Sequence, residues 1–354
     1  MGMRHYRRPG IVGGILVTAT VVAALPAIAS VATPTVHELP TPAGYQSSEA
    51  TAVNNLGTVV GYAANGFIDT VAVKWSRNGT VTVLGALPGD RYSDARGIND
   101  LGEIVGSSSN DDGVQHAVEW NAAGTITDLG VEPGYRLSIS EGNAINDFGE
   151  VAGADQITPR EVDATRWVHG TLDDFGLAQE DQIGNSYANA VNDLGQIAGI
   201  DFLIHGLASQ EAVRWNPDGT VLQLPYLVAA RGAETGANGI NNLGVVAGTS
   251  PTATPGQPHA VRWDAQGHVT DLGTAPGGVT SYGNGINDLG VIVGSADDAA
   301  ANTHAVTWSA TGTLRELPAL PGGSAGEALA VSDTGFIVGD ADDAAGNDVA
   351  VLWH

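Results

Sequence analysis

A three-part marker recurs seven times along this chain. In its clearest copy the turn Asn99-Asp-Leu-Gly102 is followed by Gly106 and then by Trp120. The first residue of each turn and the tryptophan of each copy stand at Asn54 and Trp75, Asn99 and Trp120, Asn146 and Trp167, Asn192 and Trp215, Asn241 and Trp263, Asn287 and Trp308, and Ser332 and Trp353. A period of 45 to 49 residues indicates an array of similar supersecondary units, which constrains the fold more than any single residue does.

Each copy reads as four short strands. In the second copy an Ala/Gly-rich strand ends at Ile98, the Asn-Asp-x-Gly turn predicts a tight hairpin, and alternating residues over 103–107 form a second strand. Residues 116–120 and 125–129 supply the third and fourth strands, and no stretch has the period of an amphipathic helix. Four antiparallel strands in one such period are typical of a propeller blade. We therefore predict an all-β, seven-bladed β-propeller of four-stranded antiparallel blades.

The two ends of the chain predict how the ring closes. The last copy stops at Trp353-His354 without a fourth strand, whereas Val36-His-Glu-Leu-Pro40 resembles the fourth strand Leu314-Arg-Glu-Leu-Pro318. An N-terminal strand that completes the last blade would leave no unpaired edge between the first and last copies. The prediction is one propeller domain over residues 33–354.

The first 32 residues have the features of an export signal. Three arginines within the first eight residues precede an apolar run over 11–25, and Ala29 and Ala32 offer small-residue cleavage sites. We expect a signal peptide over 1–32, cleavage near Ala29 or Ala32, and a secreted, extracellular protein with no stable membrane insertion after cleavage. A retained membrane anchor is the weaker alternative, because the run is short for a spanning helix.

Charge limits the class of partner. The chain has 39 acidic and 14 basic residues, and residues 1–32 hold three of the basic ones and none of the acidic ones. Such an acidic protein repels nucleic acid and anionic membranes, so we expect neither as a partner. The absence of cysteine means that the fold is stabilised by its core rather than by disulfides. We predict that the protein is a monomer. A single lysine beside thirteen arginines suggests a GC-rich bacterial genome.

The repeated segments resemble those of the HAF-repeat family of extracellular proteins, which is named for a His-Ala-Phe tripeptide after an Ile-Asn-Asp-x-Gly-x-Val-Val-Gly motif. The matching segments are Ile98-Asn-Asp-Leu-Gly102 with Ile104-Val-Gly106, Ile286-Asn-Asp-Leu-Gly290 with Ile292-Val-Gly294, and the His-Ala-Val tripeptides. This chain departs from the family in having Val118, Val261 and Val306 in place of Phe. The resemblance implies secretion and a repeat fold, and it implies no activity.

Most repeated residues are predicted to be structural. Each tryptophan ends a third strand, where it would be buried between neighbouring blades. We interpret the Asn-Asp pairs as turn-forming residues rather than metal ligands, because a tight turn explains every copy. His116, His259 and His304 share one position at the start of a third strand, but other residue types fill it elsewhere, and we discount a zinc site.

Tyrosines are the first candidate ligand-binding residues. They are predicted in the fourth-to-first loops, on the long-loop face that would bind a ligand. The candidates are Tyr45, Tyr92, Tyr135, Tyr187 and Tyr282, with Tyr226 in an equivalent loop. Tyrosine combines an apolar ring with a polar tip, which suits a sugar or a peptide. The alternative is that each tyrosine anchors its loop against the edge of a blade.

A second set of candidates stands five residues before each turn. This position holds Glu49, Asp94, Glu141, Tyr187, Gly236, Tyr282 and Glu327. The four acids belong to blades seven, one, two and three, which are adjacent in the ring and would form an acidic arc. Carboxylate oxygens suit a hard cation such as Ca²⁺, so Glu49, Asp94, Glu141 and Glu327 are the predicted metal or cation site.

Other acids are predicted as solvated charge in the loops between second and third strands. These are Asp111, Asp112, Asp297, Asp298, Asp340, Asp342 and Asp343.

Two classes of function remain open at this point. The first is a secreted, non-catalytic binding or scaffold propeller that takes an extracellular carbohydrate, peptide, protein or cation at the channel mouth. The second is a secreted glycoside hydrolase or polysaccharide lyase that uses paired carboxylates of the arc. The sequence contains no serine elbow, phosphate-binding loop or zinc signature, which favours binding over catalysis.

Overall fold

The repeated turns and alternating strands fold as seven four-stranded antiparallel sheets. The computed structural model describes residues 34–66, 69–130, 139–158, 161–175, 184–203, 209–228 and 235–354. The predicted signal peptide lies outside the described residues. Within them there is no helix that is long and apolar enough to cross a membrane. The prediction of an all-β, seven-bladed β-propeller is confirmed.

The strands follow one another in chain order, with β1 (Val36–Glu38) before the first blade. Blade 1 is β2 (Ser47–Val53), β3 (Val59–Asn65), β4 (Asp69–Trp75) and β5 (Val81–Val83). Blade 2 is β6 (Tyr92–Ile98), β7 (Ile104–Ser109), β8 (Gln115–Trp120) and β9 (Ile126–Gly130). Blade 3 is β10 (Ser140–Ile145), β11 (Glu150–Thr158), β12 (Glu161–Val168) and β13 (Thr171–Asp174). Blade 4 is β14 (Gly184–Val191), β15 (Ile197–Leu203), β16 (Ser209–Trp215) and β17 (Val221–Gln223).

Blade 5 is β18 (Gly236–Ile240), β19 (Val246–Ser250), β20 (His259–Trp263) and β21 (Val269–Asp271). Blade 6 is β22 (Ser281–Ile286), β23 (Ile292–Asp297), β24 (Thr303–Trp308) and β25 (Leu314–Glu316). Blade 7 is β26 (Gly326–Val331), β27 (Ile337–Asp342) and β28 (Asp348–Trp353), with β1 as its fourth strand. The first strand of every blade contacts the first strands of both neighbouring blades, including β2 with β26, so these strands surround the central axis.

The strand β1 lies against the free edge of β28. The two strands are antiparallel, with Val36 opposite Trp353 and Glu38 opposite Val351. Two backbone hydrogen bonds of 3.0 Å between Thr35 and His354 extend this pairing. Leu39 is 4 % exposed and packs in a core cluster with residues of blades 1 and 7. The N-terminal segment therefore contacts both blades that meet where the chain ends.

The Asn-Asp turns also join neighbouring blades. In six of the described turns the side-chain amide of the first asparagine donates to the carbonyl of the corresponding residue in the next blade, over 2.8–3.1 Å. The second turn residue accepts a hydrogen bond from the backbone N–H of the same position in the preceding blade. This second set has seven bonds of 2.7–3.0 Å and passes completely around the axis, from Asn55 to Asp333 and back. The Asn-Asp pair therefore forms the turn and also makes hydrogen bonds between neighbouring blades.

The seventh turn lacks the asparagine amide, and a threonine hydroxyl makes the side-chain bond to the next blade instead. Ser332 stands where the other copies have asparagine and has no amide to donate. The hydroxyl of Thr334, two residues later, donates to the carbonyl of Asn55 over 3.0 Å. The junction between blades 7 and 1 therefore keeps a side-chain bond of its own.

The seven tryptophans form the inter-blade core, as predicted. All of them are between 0 and 2 % exposed. Trp263 shares a cluster with Ala198 and Ala212 of blade 4 and with Val261 of its own blade, and its indole N–H donates to the carbonyl of Pro225 over 2.8 Å. A Cβ on Gly248 would lie 2.9 Å from this ring, so the repeated glycine leaves room for the tryptophan.

Deletion of residues 35–40 should destabilise the propeller, because it removes β1 and leaves β28 as an unpaired edge next to blade 1. We expect a lower Tm and self-association, measured by differential scanning calorimetry and analytical ultracentrifugation. Both proteins are produced without residues 1–32, and the one that retains residues 35–40 is the control. A deleted protein that stays monomeric with an unchanged Tm would show that β1 has no role in closing the ring.

Replacement of Trp263 by Ala should lower the free energy of unfolding by about 3–5 kcal/mol, from lost burial and the cavity that remains. Trp263→Phe, which keeps most of the volume but loses the indole N–H, should cost less. Urea denaturation followed by circular dichroism measures both variants. Equal stabilities of the wild type and Trp263→Ala would contradict a core role for this ring.

Candidate functional site

A β-bulge in each inner strand determines which side chains turn toward the channel. In every blade the register between the first and second strands shifts by one residue, as between Ala50 and Ala52. A bulge leaves one residue unpaired and redirects its side chain. The residues skipped by the shift are Thr51, Arg96, Asn143, Asn189, Asn238, Asn284 and Leu329.

Four of these bulge residues are asparagines that form hydrogen bonds between the inner strands of adjacent blades. Their amides donate to the carbonyl of the residue that precedes the bulge in the next blade, over 2.9–3.0 Å. Thr51 makes the equivalent bond to Ala95 with its hydroxyl, at 2.8 Å. Arg96 of blade 2 and Leu329 of blade 7 depart from this pattern. The channel wall is therefore irregular around blades 7, 1 and 2.

The predicted acidic arc lies two residues before these bulges. Glu49, Asp94, Glu141 and Glu327 occupy equivalent register positions, each opposite the residue that follows the repeated glycine of the second strand. A Cβ on Gly61 would lie only 1.9 Å from the carbonyl oxygen of Glu49, and Gly339 has the same relation to Glu327. The glycine thus lets the backbone that carries each carboxylate lie directly against the second strand.

A cavity of about 1020 Å³ opens at the start of these strands. Three residues of the predicted arc line it, namely Glu49, Asp94 and Glu327. Two further carboxylates, Asp340 of β27 and Asp348 of β28, line it from blade 7. The prediction that Asp340 lies in a loop as solvated charge is therefore wrong, because β27 continues through this residue and pairs it with Glu327.

The pairing of Asp340 with Glu327 sets two acids directly opposite each other on one face of a sheet, an arrangement that is normally destabilising. Burial, and then the charges of Glu49, Glu327 and Asp348, raise the pKa of Asp340 to about 7. Burial also raises the pKa of Glu49, although a hydrogen bond from the Tyr62 hydroxyl, 2.5 Å from the carboxylate, opposes this increase. Burial and the neighbouring carboxylates together therefore allow Asp340 to hold a proton near neutral pH.

Arg96 forms ion pairs with both acids of the other half of the arc. Its guanidinium lies between Asp94, at 2.8 Å, and Glu141, at 2.6 Å. Burial acts to lower the pKa of Arg96, but these two carboxylates raise it above its ordinary value, so the side chain stays charged. In the described part of the chain no arginine, lysine or histidine forms an ion pair with Glu49, Glu327, Asp340 or Asp348.

The tyrosines are placed differently from the prediction. Tyr92, Tyr187 and Tyr282 lie within the inner strands β6, β14 and β22 rather than in loops, because these strands begin earlier than their sequence pattern indicates. Tyr187 and Tyr282 occupy the arc position in blades 4 and 6, and Tyr282 is 42 % exposed. They do not line the described acidic cavity, where the aromatic side chain is Tyr62.

The other tyrosines fit the alternative of a structural anchor. Tyr45 packs against the core cluster of blades 1 and 7. The hydroxyl of Tyr92 donates to Asp111 over 2.8 Å. Tyr135 lies outside the described residues.

The predicted cation site is divided between two parts of the arc. Among the described residues no three histidines, aspartates or glutamates come close enough together to hold an ion. Arg96 already supplies the positive charge between Asp94 and Glu141. The carboxylates that remain for an external cation are those on the blade 7 and blade 1 side of the cavity.

Sequence could have revealed part of this site. The residue after the repeated glycine of the second strand is Tyr62, Ser107, Ala154, Ile200, Thr249, Ser295 and Asp340 in the seven copies. Only Asp340 is acidic, and it occurs in the copy that also has Glu327. That coincidence marks the site once the register of the two strands is known.

Comparison with solved structures agrees with the fold. A streptogramin B lyase aligns with a TM-score of 0.58 and 10% identity, over 91% of this chain and 97% of that chain. A puromycin hydrolase aligns with a TM-score of 0.58 and 12% identity over 84% of this chain, which spans 50% of that enzyme. No protein-family profile and no curated protein sequence matches the chain. At these identities the structural matches show a propeller fold and no particular activity.

Replacement of Asp340 by Asn should stabilise the protein at pH 8. The folded-state pKa of about 7 exceeds the unfolded value, so ionisation of this group disfavours folding increasingly between about pH 4 and 7. We expect the Tm of the variant to exceed that of the wild type by at least about 3 °C at pH 8 and to match it at pH 4. Asp112→Asn, on an exposed loop, is the control. A Tm difference that does not depend on pH would contradict the raised pKa.

Proposed function

We propose that this protein is a secreted, non-catalytic binding module whose acidic cavity takes an organic cation. The ligand class is an ammonium or guanidinium group carried by an extracellular peptide, protein or amine-bearing carbohydrate. The observation that carries this proposal is the set of four carboxylates, Glu49, Glu327, Asp340 and Asp348, which line one cavity and have no cationic partner among the described residues.

The electrostatics of the cavity favour this class of ligand. A bound cation would offset the repulsion between Glu327 and Asp340 and would lower the pKa of Asp340. The cavity of about 1020 Å³ is at the upper end of the range for small-molecule sites and is large enough for the end of a peptide or an oligosaccharide. The side chains of Gln46, Thr70 and Asn347 also line it and offer hydrogen bonds to the rest of such a ligand.

An organic cation suits the spacing of these carboxylates better than Ca²⁺ does. Calcium requires six to eight oxygens at about 2.3–2.6 Å from one point. An ammonium or guanidinium group instead carries several N–H donors, and it also gains from carboxylates farther away through Coulomb attraction. Calcium is retained as a competing ligand in the experiment.

Secretion is part of the same proposal. It is supported by the arginines, apolar run and small residues of the first 32 positions, and by the resemblance of the repeats to extracellular HAF-repeat proteins. An extracellular location would expose the cavity to peptides, amines and glycans outside the cell. The absence of cysteine is compatible with export, because the buried tryptophan core supplies the stability.

One observation favours the catalytic alternative. A carboxyl with a pKa of about 7 beside other carboxylates is the arrangement that general acid–base catalysis uses. On this alternative Asp340 would be the general acid of a secreted glycoside hydrolase or polysaccharide lyase, and Glu49 or Glu327 its partner. A panel of neutral and acidic polysaccharides, assayed for reducing ends and for unsaturated products, tests this alternative. Product that Asp340→Asn abolishes and Asp112→Asn retains would replace the binding proposal.

Isothermal titration calorimetry tests the binding proposal with four probes: tetralysine, a chitosan oligosaccharide, the fully N-acetylated form of that oligosaccharide, and CaCl₂. We expect the two amine-bearing probes to bind and the acetylated sugar not to bind. Glu49→Gln/Asp340→Asn should weaken binding by at least about tenfold, because two of the four carboxylates lose their charge. Asp111→Asn/Asp112→Asn, on an outer loop of blade 2, should bind like the wild type.

Proton release gives a second measurement. A bound cation that lowers the pKa of Asp340 from about 7 must release part of a proton at pH 7, so the heat of binding should vary with the ionisation enthalpy of the buffer. Asp340→Asn should lose this dependence. Binding of CaCl₂ but not of the amines, or equal binding by both double variants, would contradict the proposal.

A further inference from the structure

The other end of the channel, where the Asn-Asp turns lie, has an exposed apolar residue in six of the seven blades. The third turn residue is Leu56 at 63 % exposure, Leu101 at 63 %, Phe148 at 65 %, Leu194 at 60 %, Leu243 at 66 % and Leu289 at 66 %. We call these six residues the apolar ring. Single exposed apolar side chains are common on proteins, but a repeated set on one face indicates an interaction surface.

The turn itself does not require apolar side chains at this position. Where the third residue is bonded, the bond joins its backbone N–H to the side-chain oxygen of the first asparagine, as for Leu194 over 3.1 Å. The seventh copy has Thr334, and its hydroxyl bonds to Asn55 across the closing junction. A polar residue is therefore compatible with this backbone, and the hydrogen bonds of the turn do not require the six apolar side chains.

Carboxylates lie inside the apolar ring, around the axis. The second turn residues line a shallow depression of about 220 Å³, and they are Asn55, Asp100, Asp147, Asp193, Asn242, Asp288 and Asp333. No arginine, lysine or histidine forms an ion pair with these five aspartates in the described part of the chain. Burial and the charges of Asp100, Asp193 and Asp333 raise the pKa of Asp147. The face thus consists of a negatively charged centre within an apolar border.

The negative charge at the centre of this face limits which kind of partner it can bind. A second copy of the chain would bring two such negative centres together, and the chain as a whole carries a net charge of −25. An anionic bilayer surface would be repelled for the same reason. A segment that carries lysine or arginine at its tip, with apolar side chains around it, matches both the centre and the border.

We propose that the turn face docks a partner protein through a basic tip flanked by apolar residues. The basic side chain lies over the ring of aspartates, and the flanking apolar side chains pack on the apolar ring. This surface is at the opposite end of the inner strands from the acidic cavity, because each strand runs from the cavity residues to the turn. The inference therefore does not depend on the ligand of that cavity.

The structure supplies two matched sets of variants. Leu194→Ser/Leu243→Ser/Leu289→Ser removes half of the apolar ring at exposed positions, so folding should be retained. Asp147→Asn/Asp193→Asn removes two central charges and keeps the side-chain oxygens that accept backbone N–H bonds from the preceding blade. It loses the Asp193 oxygen that accepts from the Asn242 amide. Asn55 and Asn242 already occupy the same position in blades 1 and 5, which shows that asparagine fits there.

The probe is the peptide Ac-Leu-Leu-Arg-Leu-Leu-amide, titrated into the full chain and observed through leucine methyl NMR resonances. We expect the methyl signals of Leu194, Leu243 and Leu289 to shift. The serine variant should lose binding, and the asparagine variant should weaken it by about tenfold and reduce its salt dependence. Ac-Leu-Leu-Glu-Leu-Leu-amide and Ac-Ser-Ser-Arg-Ser-Ser-amide should bind at least about tenfold more weakly. The cavity variant Glu49→Gln/Asp340→Asn should bind the probe like the wild type.

Three outcomes would overturn the proposal. Equal binding of the acidic and basic peptides would remove the role of the aspartates. Concentration-dependent dimerisation that the serine variant abolishes would assign the face to a second copy. Sedimentation of the protein with phosphatidylglycerol vesicles, lost in the serine variant, would assign it to a lipid surface.

Discussion

The closed set of hydrogen bonds among the Asn-Asp turns is the interaction on which the rest of the propeller depends. Consecutive blades are joined covalently by one loop each, and the hydrogen bonds of the turns add to the tryptophan packing between them. The asparagine amide of each turn donates to a backbone carbonyl of the next blade, and the backbone N–H of the following residue donates to a side chain of that blade. One residue pair therefore forms the hairpin turn and also binds the next blade. Buried backbone groups at the axis are thereby satisfied without water.

The bulge residues of the inner strands also determine where the acidic cavity lies. Asparagine at the bulge of blades 3 to 6 uses its amide to bind the next inner strand, and the channel wall there is regular. Blades 7 and 2 have Leu329 and Arg96 instead. Arg96 forms ion pairs with Asp94 and Glu141, whereas the cavity acids of blades 7 and 1 have no ion pair with a basic side chain in the described part of the chain. The cavity therefore lies where the repeat is least regular, and a site built on a repeated scaffold needs this kind of departure.

Both ends of the channel are acidic, but they differ in what holds the carboxylates. At the turn end the aspartates accept backbone N–H bonds from the preceding blade, which hold the carboxylates in place around the axis. At the cavity end Asp340 faces Glu327 and retains a proton near neutral pH. The first arrangement joins neighbouring blades. In the second, the pKa of Asp340 is raised to about 7, so its charge changes near neutral pH.

The sequence by itself determined the number of blades, the four-strand unit, the tryptophan core and the position of the arc, because each depends on residues that recur at one period. It did not identify Arg96 as the counter-ion of the arc or Asp340 as a cavity residue. Those roles depend on the bulge, which turns residue 96 toward blade 3, and on the register that sets residue 340 opposite residue 327. A one-residue shift in pairing reverses the face of every later side chain. Periodicity does not specify that shift, and only the tertiary structure decided which charges meet.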